Sequence, residues 1–466
     1  MVFPFPRLSD ISVRNQRVLL RVDYNISTIS NDRGERVPEN DARIRATLPT
    51  LRYLLNRGCS ILLLSWLKRP AGTVVEDLRM APLAIRLSEM LDHHVNVMRS
   101  VVGRDVQRYL RRMQRGDIAM LENVRFYPEE LKNSTTFAKK IAKLADTVIF
   151  DAFSHAHRDV PSVTGLIHYA KNVAVGRLFE SEYRNLSRLR EHPKRPLVAI
   201  LGGAKISDRL DVLERMLEEA DSVLIGGALA NTLLKASGIE VGGSMVESSV
   251  IDRAGKKKNY LAIAQKIWKR YGSVTINGLP KLILPIDGII ADTSTFAHPM
   301  TVSFCDKRVP TAQGIFDIGP KTIRRFTNVI KHARMIFWNG PLGMLELQEF
   351  SHATHRIAEM LAHSSATTIL AGGDTGKLLD RFQMGTEDFD HVSLGGGATL
   401  KFLAGLKLPA LRELERRAHL KNSFPAISDD RCAETREGRG GILANISTSP
   451  ERVAGQRVLK SAEDYF

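Results

Sequence analysis

Short apolar runs alternate with helix-period stretches along most of this 466-residue chain, and few folds accommodate that pattern. Val18 to Val22 is an apolar run that ends in Asp23-Tyr24-Asn25. Ile44, Leu48, Leu51 and Leu55 recur at helical spacing, stop at Gly58, and give way to a second run, Ile61 to Leu64. A helix over Leu83 to Leu91, strands at Val95 to Met98 and Ile118 to Leu121, a helix over Phe137 to Leu144 and a strand at Thr147 to Phe150 continue the series. Strands that alternate with helices predict a parallel, doubly wound sheet. A helix over Leu178 to Leu189 runs into the polar, proline-containing His192 to Pro196, after which the alternation restarts. Leu197 to Leu201, Ser222 to Ile225, Leu282 to Leu284, Met335 to Trp338 and Thr367 to Leu370 read as strands, with helices such as Leu229 to Lys235 and Ile357 to Ala362 between them. The length exceeds what one hydrophobic core holds, so two α/β domains are expected. No repeat in the sequence relates the halves. Met245 to Lys258 is polar, carries Lys256-Lys257-Lys258, and reads as a solvated loop.

Ligand chemistry is expected at the carboxyl ends of these strands. In the first half, Arg43 precedes a helix, and Arg69, Arg125 and Arg158 each follow a strand. Four guanidinium forks on one side of a parallel sheet would suit carboxylate or phosphate oxygens. In the second half every glycine cluster follows a strand: Gly202-Gly203, Gly226-Gly227, Gly340 with Gly343, Gly372-Gly373 and Gly395-Gly396-Gly397. A strand, a glycine turn and a helix start, as in Leu197 to Leu210, predict a phosphate cradle of backbone N–H groups, to which Lys205 would add a full charge. Asp374 is placed to hold Mg²⁺ on a nucleotide, and Thr375 to donate to a phosphate at a helix start. Gly372 to Lys377, GGDTGK, is one residue short of a Walker A loop and is followed by Leu378 where Ser or Thr is required, so that motif is rejected.

Charge and cysteine usage narrow the partner. Lys and Arg outnumber Asp and Glu by 67 to 51, a net charge of +16, which suits an anionic ligand. Aromatic residues are not interleaved with the basic runs as base-stacking platforms would be, so nucleic acid is not expected. Cys59, Cys305 and Cys432 lie far apart, which fits a reducing compartment and neither a disulfide framework nor a zinc site. No apolar stretch approaches the roughly 20 residues of a membrane span, and MVFPFPRLSD lacks the features of a secretory signal. A soluble cytoplasmic protein with no membrane partner is the expectation.

Taken together the motifs resemble the phosphoglycerate kinase family over roughly residues 7 to 411. They occur in order: RVDYN from Arg21, LENVRFYPEE from Leu121, DAF with AHR from Asp151, AILGGAKISD from Ala199, DIGPKT from Asp317, WNGPLG from Trp338, GGDT from Gly372 and GGGA from Gly395. The resemblance implies a phosphotransferase with a carboxyl acceptor, working between 1,3-bisphosphoglycerate and ADP and giving 3-phosphoglycerate and ATP, with Mg²⁺ as cofactor. It implies two Rossmann-like, doubly wound domains joined by a hinge helix: residues 1–177 for the acid substrate, 178–196 as hinge and linker, and 197–394 for the nucleotide. Residues 395–411 would return to the first domain, and 412–466, beginning with a helix near Leu411 to Leu420, would be a polar tail. By motif, Asp23, Asn25, Arg43, Arg69, Arg125 and Arg158 would bind the acid. Gly202, Gly203, Lys205, Gly226, Gly227, Asn339, Pro341, Glu346, Gly372, Gly373, Asp374 and Thr375 would bind the nucleotide. Glu346 would meet the ribose, Asp374 the metal and Lys205 the phosphates, and Arg43, Lys205, Arg209 and Gly372 would act at the transferred group. Members are mostly monomers, so a monomer is expected.

The sequence also departs from the family. Ser65 to Pro70 reads SWLKRP where the family has SHLGRP, so Trp66 replaces a histidine and Lys68 a glycine; Val160, after Asp159, replaces a second histidine. Ser154 stands for a glycine, Leu394 for a threonine, Arg209 for a lysine and Lys401 for a glutamate, and His352-Ala353 replaces the usual pair before Thr354. The nucleotide side is better kept than the acid side. Two alternatives stay open: a kinase-fold paralogue acting on another carboxylate or acyl phosphate, and a non-catalytic nucleotide-binding protein.

Overall fold

The computed structural model describes residues 3–419 except 205, 208, 252–256, 307 and 374, with the backbone alone at 250, 251, 257, 306, 375 and 377. Two six-stranded parallel sheets organise it. The first contains β1 (Arg17–Arg21), β2 (Ser60–Leu64), β3 (Val95–Val97), β4 (Ile118–Met120), β5 (Thr147–Phe150) and β6 (Asn172–Val175), in the order β3-β4-β2-β1-β5-β6. The second contains β7 (Leu197–Leu201), β8 (Ser222–Ile225), β9 (Leu282–Ile283), β10 (Met335–Asn339), β11 (Thr367–Ala371) and β12 (His391–Ser393), in the order β9-β8-β7-β10-β11-β12. The doubly wound class expected from the alternation is the class observed. Helices cover both faces, so the central strands have no solvent side; all five residues of β7 and of β10 are buried. That is why the strands read as continuous apolar runs without alternation. Each buried Val, Leu, Ile, Phe or Met side chain there stabilises the fold by about 1.5–3 kcal/mol relative to exposure.

Between the sheets runs α1 (Arg177–Glu191). Its Glu182, buried, accepts from Leu394 N at 2.6 Å and lies 3.0 Å from His391 Nε2, which ties the helix to the edge strand β12 and the loop that follows it. The chain then turns back through α2 (Gly397–Leu403) and α3 (Pro409–His419), where Ala410 N donates to Ala156 O and Arg417 to Ala170 O. The helix expected near Leu411 to Leu420 is α3; the rest of the expected tail lies outside the described residues. Gly395 permits this return, because a Cβ there would stand 2.2 Å from Thr399 Oγ1 and 2.9 Å from Phe153.

Several parts were not foreseen, among them β6 and β12, an edge strand of each parallel sheet. Asp287–Asp292, Met300–Ser303 and Gln313–Ile318 form a small antiparallel sheet, whose strands are partly exposed and lack the buried runs of the parallel sheets. The expected solvated loop at Met245 to Lys258 carries a two-stranded hairpin, Ser249–Ile251 with Lys257–Asn259, held by backbone pairing that polar side chains do not announce. The helix Tyr260–Tyr271 follows it. Among the described residues no helix is long and apolar enough to cross a membrane.

Candidate active site

At the carboxyl end of β1 the chain places Asp23, with both oxygens occupied. Oδ1 accepts from Asn25 N at 2.9 Å and lies 3.1 Å from His155 Nε2; Oδ2 accepts from the Ser154 hydroxyl and pairs with Arg43 in the first turn of the helix Ala42–Leu55. Asn25 Oδ1 accepts from Lys68 N at 2.8 Å, and Arg125 donates to the Lys68 carbonyl. The Arg125 guanidinium lies 4.0 Å over Trp66. Burial, followed by the charges of Arg158 and Arg69, pushes Arg125 down to about 10, so these three arginines share one electropositive neighbourhood. Asp23 is therefore in direct contact with Asn25 and Arg43, and Arg125 is joined to Asn25 through Lys68, with Arg69 and Arg158 exposed beside them.

Behind this shell Arg21 is fully buried. Its Nε donates to Ser162 O at 3.0 Å, its Nη1 to Val22 O and Leu64 O, and it lies 4.5 Å from the Trp66 ring. Burial lowers its pKa to about 9. Glu130 accepts from Ser162 N at 3.0 Å and Ser162 Oγ at 2.6 Å, with burial raising its pKa. Val160, which stands where the resembled family has a histidine, packs on the hydrophobic core, while Asp159 accepts from Thr164 Oγ1 at 2.6 Å. Asp151 is buried beneath the site; it accepts from Thr50 Oγ1 at 2.6 Å and Phe179 N at 2.9 Å, and burial raises it to about 6.

On the second sheet the glycine turns interlock. The amides of Gly202, Gly203, Gly226 and Gly227 donate to the carbonyls of Asn339, Pro341, Leu201 and Leu342 at 2.7 to 2.9 Å. The expectation that Gly202 and Gly203 present free N–H donors to a phosphate is thus corrected: as the loops stand, those donors hold loop to loop. Loop packing is what requires glycine here. A Cβ on Gly202 would stand 2.0 Å from Pro341 O, and one on Gly227, at φ +62°, 2.6 Å from Gly203 N. Arg209 lies over two of the turns; its Nε donates to Asn339 Oδ1 at 3.1 Å, and Asn339 Nδ2 donates to Ala371 O at 2.8 Å. Asn339 is buried, and its side chain positions Arg209. Glu346 is exposed beyond the Pro341 turn. Asp317 accepts from Ile318 N at 2.9 Å and Ala353 N at 3.0 Å at the start of the helix His352–Ala362; burial raises its pKa to about 8.

Gly372 and Gly373 differ from the interlocked pairs. They line a cleft of about 1140 Å³ together with Asn25 and Arg43 of the first half and Leu394 and Gly396 of the return segment. A Cβ on Gly373, Gly396 or Gly397 would meet nothing within 4 Å, which leaves room for a ligand against bare backbone. Asn40 Nδ2 donates to Asp380 Oδ2 at 2.8 Å across this cleft. Lys205 and Asp374 lie outside the described residues, as does the side chain of Thr375.

The main residue that sequence reasoning missed is His155. The available signal was its place two residues before His157, directly after Ser154, in the DAF segment that leads from β5 into the site.

The family model described as phosphoglycerate kinase matches residues 8–406. Phosphoglycerate kinase of Thermomicrobium roseum is 41% identical over 414 residues, 88% of this chain and 99% of that protein. That of Chlorobium chlorochromatii is 39% identical over 411 residues, 87% and 98% respectively. Among solved structures, phosphoglycerate kinase from Coxiella burnetii superposes with a TM-score of 0.74 at 34% identity, covering 90% of this chain and 100% of its own. The one from Pyrococcus horikoshii does so with 0.75 at 30% identity, covering 89% and 99%.

Proposed function

The chain belongs to the phosphoglycerate kinase family, and on that premise we propose how its two half-sites perform the family reaction, the reversible transfer of a phosphoryl group between 1,3-bisphosphoglycerate and ADP. The observation that carries this reading is the cleft that brings Asn25 and Arg43 opposite Gly372 and Gly373. Arg43, Arg69, Arg125 and Arg158 bind the phosphate and carboxylate oxygens of the acid, and Asp23 and Asn25 orient it. The nucleotide binds on the second sheet, where Gly372, Gly373 and Thr375 face its phosphates at the start of the helix Thr375–Arg381. The interlocked turns with Pro341 form the floor, and Glu346 meets the ribose.

In the forward direction a β-phosphate oxygen of ADP attacks the acyl phosphorus, the bond to the carboxyl oxygen breaks, and that oxygen leaves as carboxylate. No covalent enzyme intermediate is needed, so catalysis is positioning together with neutralisation of charge on the transferred group. Arg43, Lys205 and Arg209 supply that charge. Asp374 would hold Mg²⁺ on the nucleotide phosphates, where the ion would supply further neutralisation of their charge. Closure of the halves over the cleft excludes water that would hydrolyse the acyl phosphate.

We assign the enzyme to the cytoplasm as a monomer, with residues 1–177 as acid domain and 197–394 as nucleotide domain about the 178–196 hinge. The test of the site is Lys205→Ala and Asp374→Ala, each assayed for ATP-dependent phosphorylation of 3-phosphoglycerate alongside a far-UV spectrum. Loss of turnover by at least about 100-fold in a folded protein is expected; wild-type turnover in either variant would overturn the assignment.

A further inference from the structure

The replacement of a family histidine by Trp66 is not an isolated loss. Trp66 and His155, 2% and 4% exposed, stack with ring centroids 3.9 Å apart at 38°. From Asp23 a chain of contacts runs through His155 Nε2 to the Trp66 ring, from Trp66 to the Arg125 guanidinium, from Arg125 to the Lys68 carbonyl, from Lys68 N to Asn25 Oδ1, and from Asn25 N back to Asp23. The circuit closes on itself. It links the carboxylate that orients the acid to an arginine that binds it, and two of its members, Trp66 and Lys68, are departures from the family pattern.

We propose that His155 is a positioning residue of the acid half-site, anchoring Asp23 through Nε2–H and, by stacking on Trp66, fixing where the Arg125 guanidinium stands. This rests on the proposed function of that half-site. Three observations separate it from a histidine that merely packs. Its Nε2 meets Asp23, whose other contacts are all to residues of the site. Its Nδ1 is buried without a hydrogen-bond partner among the described residues, an unmet acceptor that an apolar side chain would not bring. Its ring shares the Trp66 surface with Arg125 and Arg21, so moving it changes the surface on which both cations rest. The neighbouring charges of Arg21, Arg43 and Arg125 join burial in keeping the imidazole neutral, which leaves a single N–H for Asp23.

The test is steady-state kinetics of wild type, His155→Phe, His155→Gln and Trp66→Phe, with KM measured separately for 3-phosphoglycerate and ATP. His155→Phe keeps a ring against Trp66 and deletes the bond to Asp23; it is expected to raise KM for 3-phosphoglycerate about tenfold and leave KM for ATP within about twofold. His155→Gln, which restores an N–H donor, is expected to recover part of that loss. An unchanged KM for 3-phosphoglycerate, or equal rises for both substrates, would overturn the proposal. If the variants do not fold, ring-nitrogen NMR of the wild type decides. A neutral imidazole with its proton on Nε2 supports the proposal, and a charged ring or one with its proton on Nδ1 refutes it, whichever acid the half-site takes. An inactive wild type would instead count against the proposed function, and this spectrum keeps the two failures apart.

Discussion

Gly227→Ala probes the interlocked turns most sharply. Gly227 begins the helix Gly227–Ala236 at φ +62°, where an L-residue costs about 1–2 kcal/mol. Its new Cβ would meet Gly203 N at 2.6 Å, Pro341 O at 2.9 Å and Gly203 O at 3.0 Å, all of them backbone. No rotamer change can relieve backbone contacts, so the turns must part, at an overpacking cost of about 1–3 kcal/mol. The total, about 2–5 kcal/mol, lies below the usual stability of about 5–15 kcal/mol, and the variant folds. The displacement passes to the turns at Gly203 and Pro341, and through them to the ground on which Arg209 lies. A shift of about 1 Å in such a framework costs up to about 100-fold in rate. The expected result is a kcat/KM for ATP lowered about 10- to 100-fold, with KM for 3-phosphoglycerate nearly unchanged. Gly238→Ala is the control. Its φ is +94°, yet a Cβ there meets nothing within 4 Å, so it carries the backbone strain without the collision. An unchanged kcat/KM for ATP in Gly227→Ala, or an equal loss in Gly238→Ala, would refute the interlock as the cause.

Removing the buried carboxylate with Glu182→Ala leaves the Leu394 amide and His391 without their acceptor, and a loss of about 2–4 kcal/mol in urea unfolding is expected; a change below about 1 kcal/mol would count against the tie between α1 and the β12 loop. The pH dependence of stability has two opposed parts. Burial and nearby Arg158 and Lys401 lower His157 to about 4, and burial with Arg21, Arg43 and Arg125 lowers His155 as well. The folded state then refuses protons that the unfolded chain binds, so this stability is complete above pH 6.5 and is lost as pH falls toward 4. Asp151 and Asp317, raised to about 6 and about 8, act with the opposite sign, favouring the fold at low pH. Between pH 5 and 6.5 the contributions offset, and His157→Gln should tilt the balance toward stability that rises as pH falls. The expected difference in slope is somewhat below about 1.4 kcal/mol per pH unit, because His157 is only partly buried; parallel curves would contradict it.

Much of the fold was legible because the central strands are buried on both faces, so that apolar runs and glycine turns marked ten of the twelve parallel strands; the edge strands β6 and β12 went unread. Thr147 to Phe150 and Ser222 to Ile225 match the observed strands at both ends. The antiparallel sheet at Asp287–Ile318 escaped because Met300–Ser303 has no buried residue, and Asp287, Gly288, Asp292, Gln313 and Gly314 interrupt the apolar runs of the other two strands. At the site, residue types were readable but their partners were not. Asn339 was read as a nucleotide contact, whereas its side chain is spent on Arg209 and Ala371. His155 was invisible for a related reason: its meaning depends on Trp66, some 90 residues away in sequence and 3.9 Å away in space. Likewise the amides of Gly202 and Gly203 can be counted in the sequence, but their acceptors belong to another loop.

The most direct test is turnover of the purified wild type with Mg-ATP and 3-phosphoglycerate, followed by coupled reduction of the acyl phosphate formed. Turnover on the order of 10 s⁻¹ is expected, with Trp66 and Val160 in place of two family histidines. Mg-ATP binding without phosphorylation of 3-phosphoglycerate would contradict the account, because the arginine half-site would then serve a different acid.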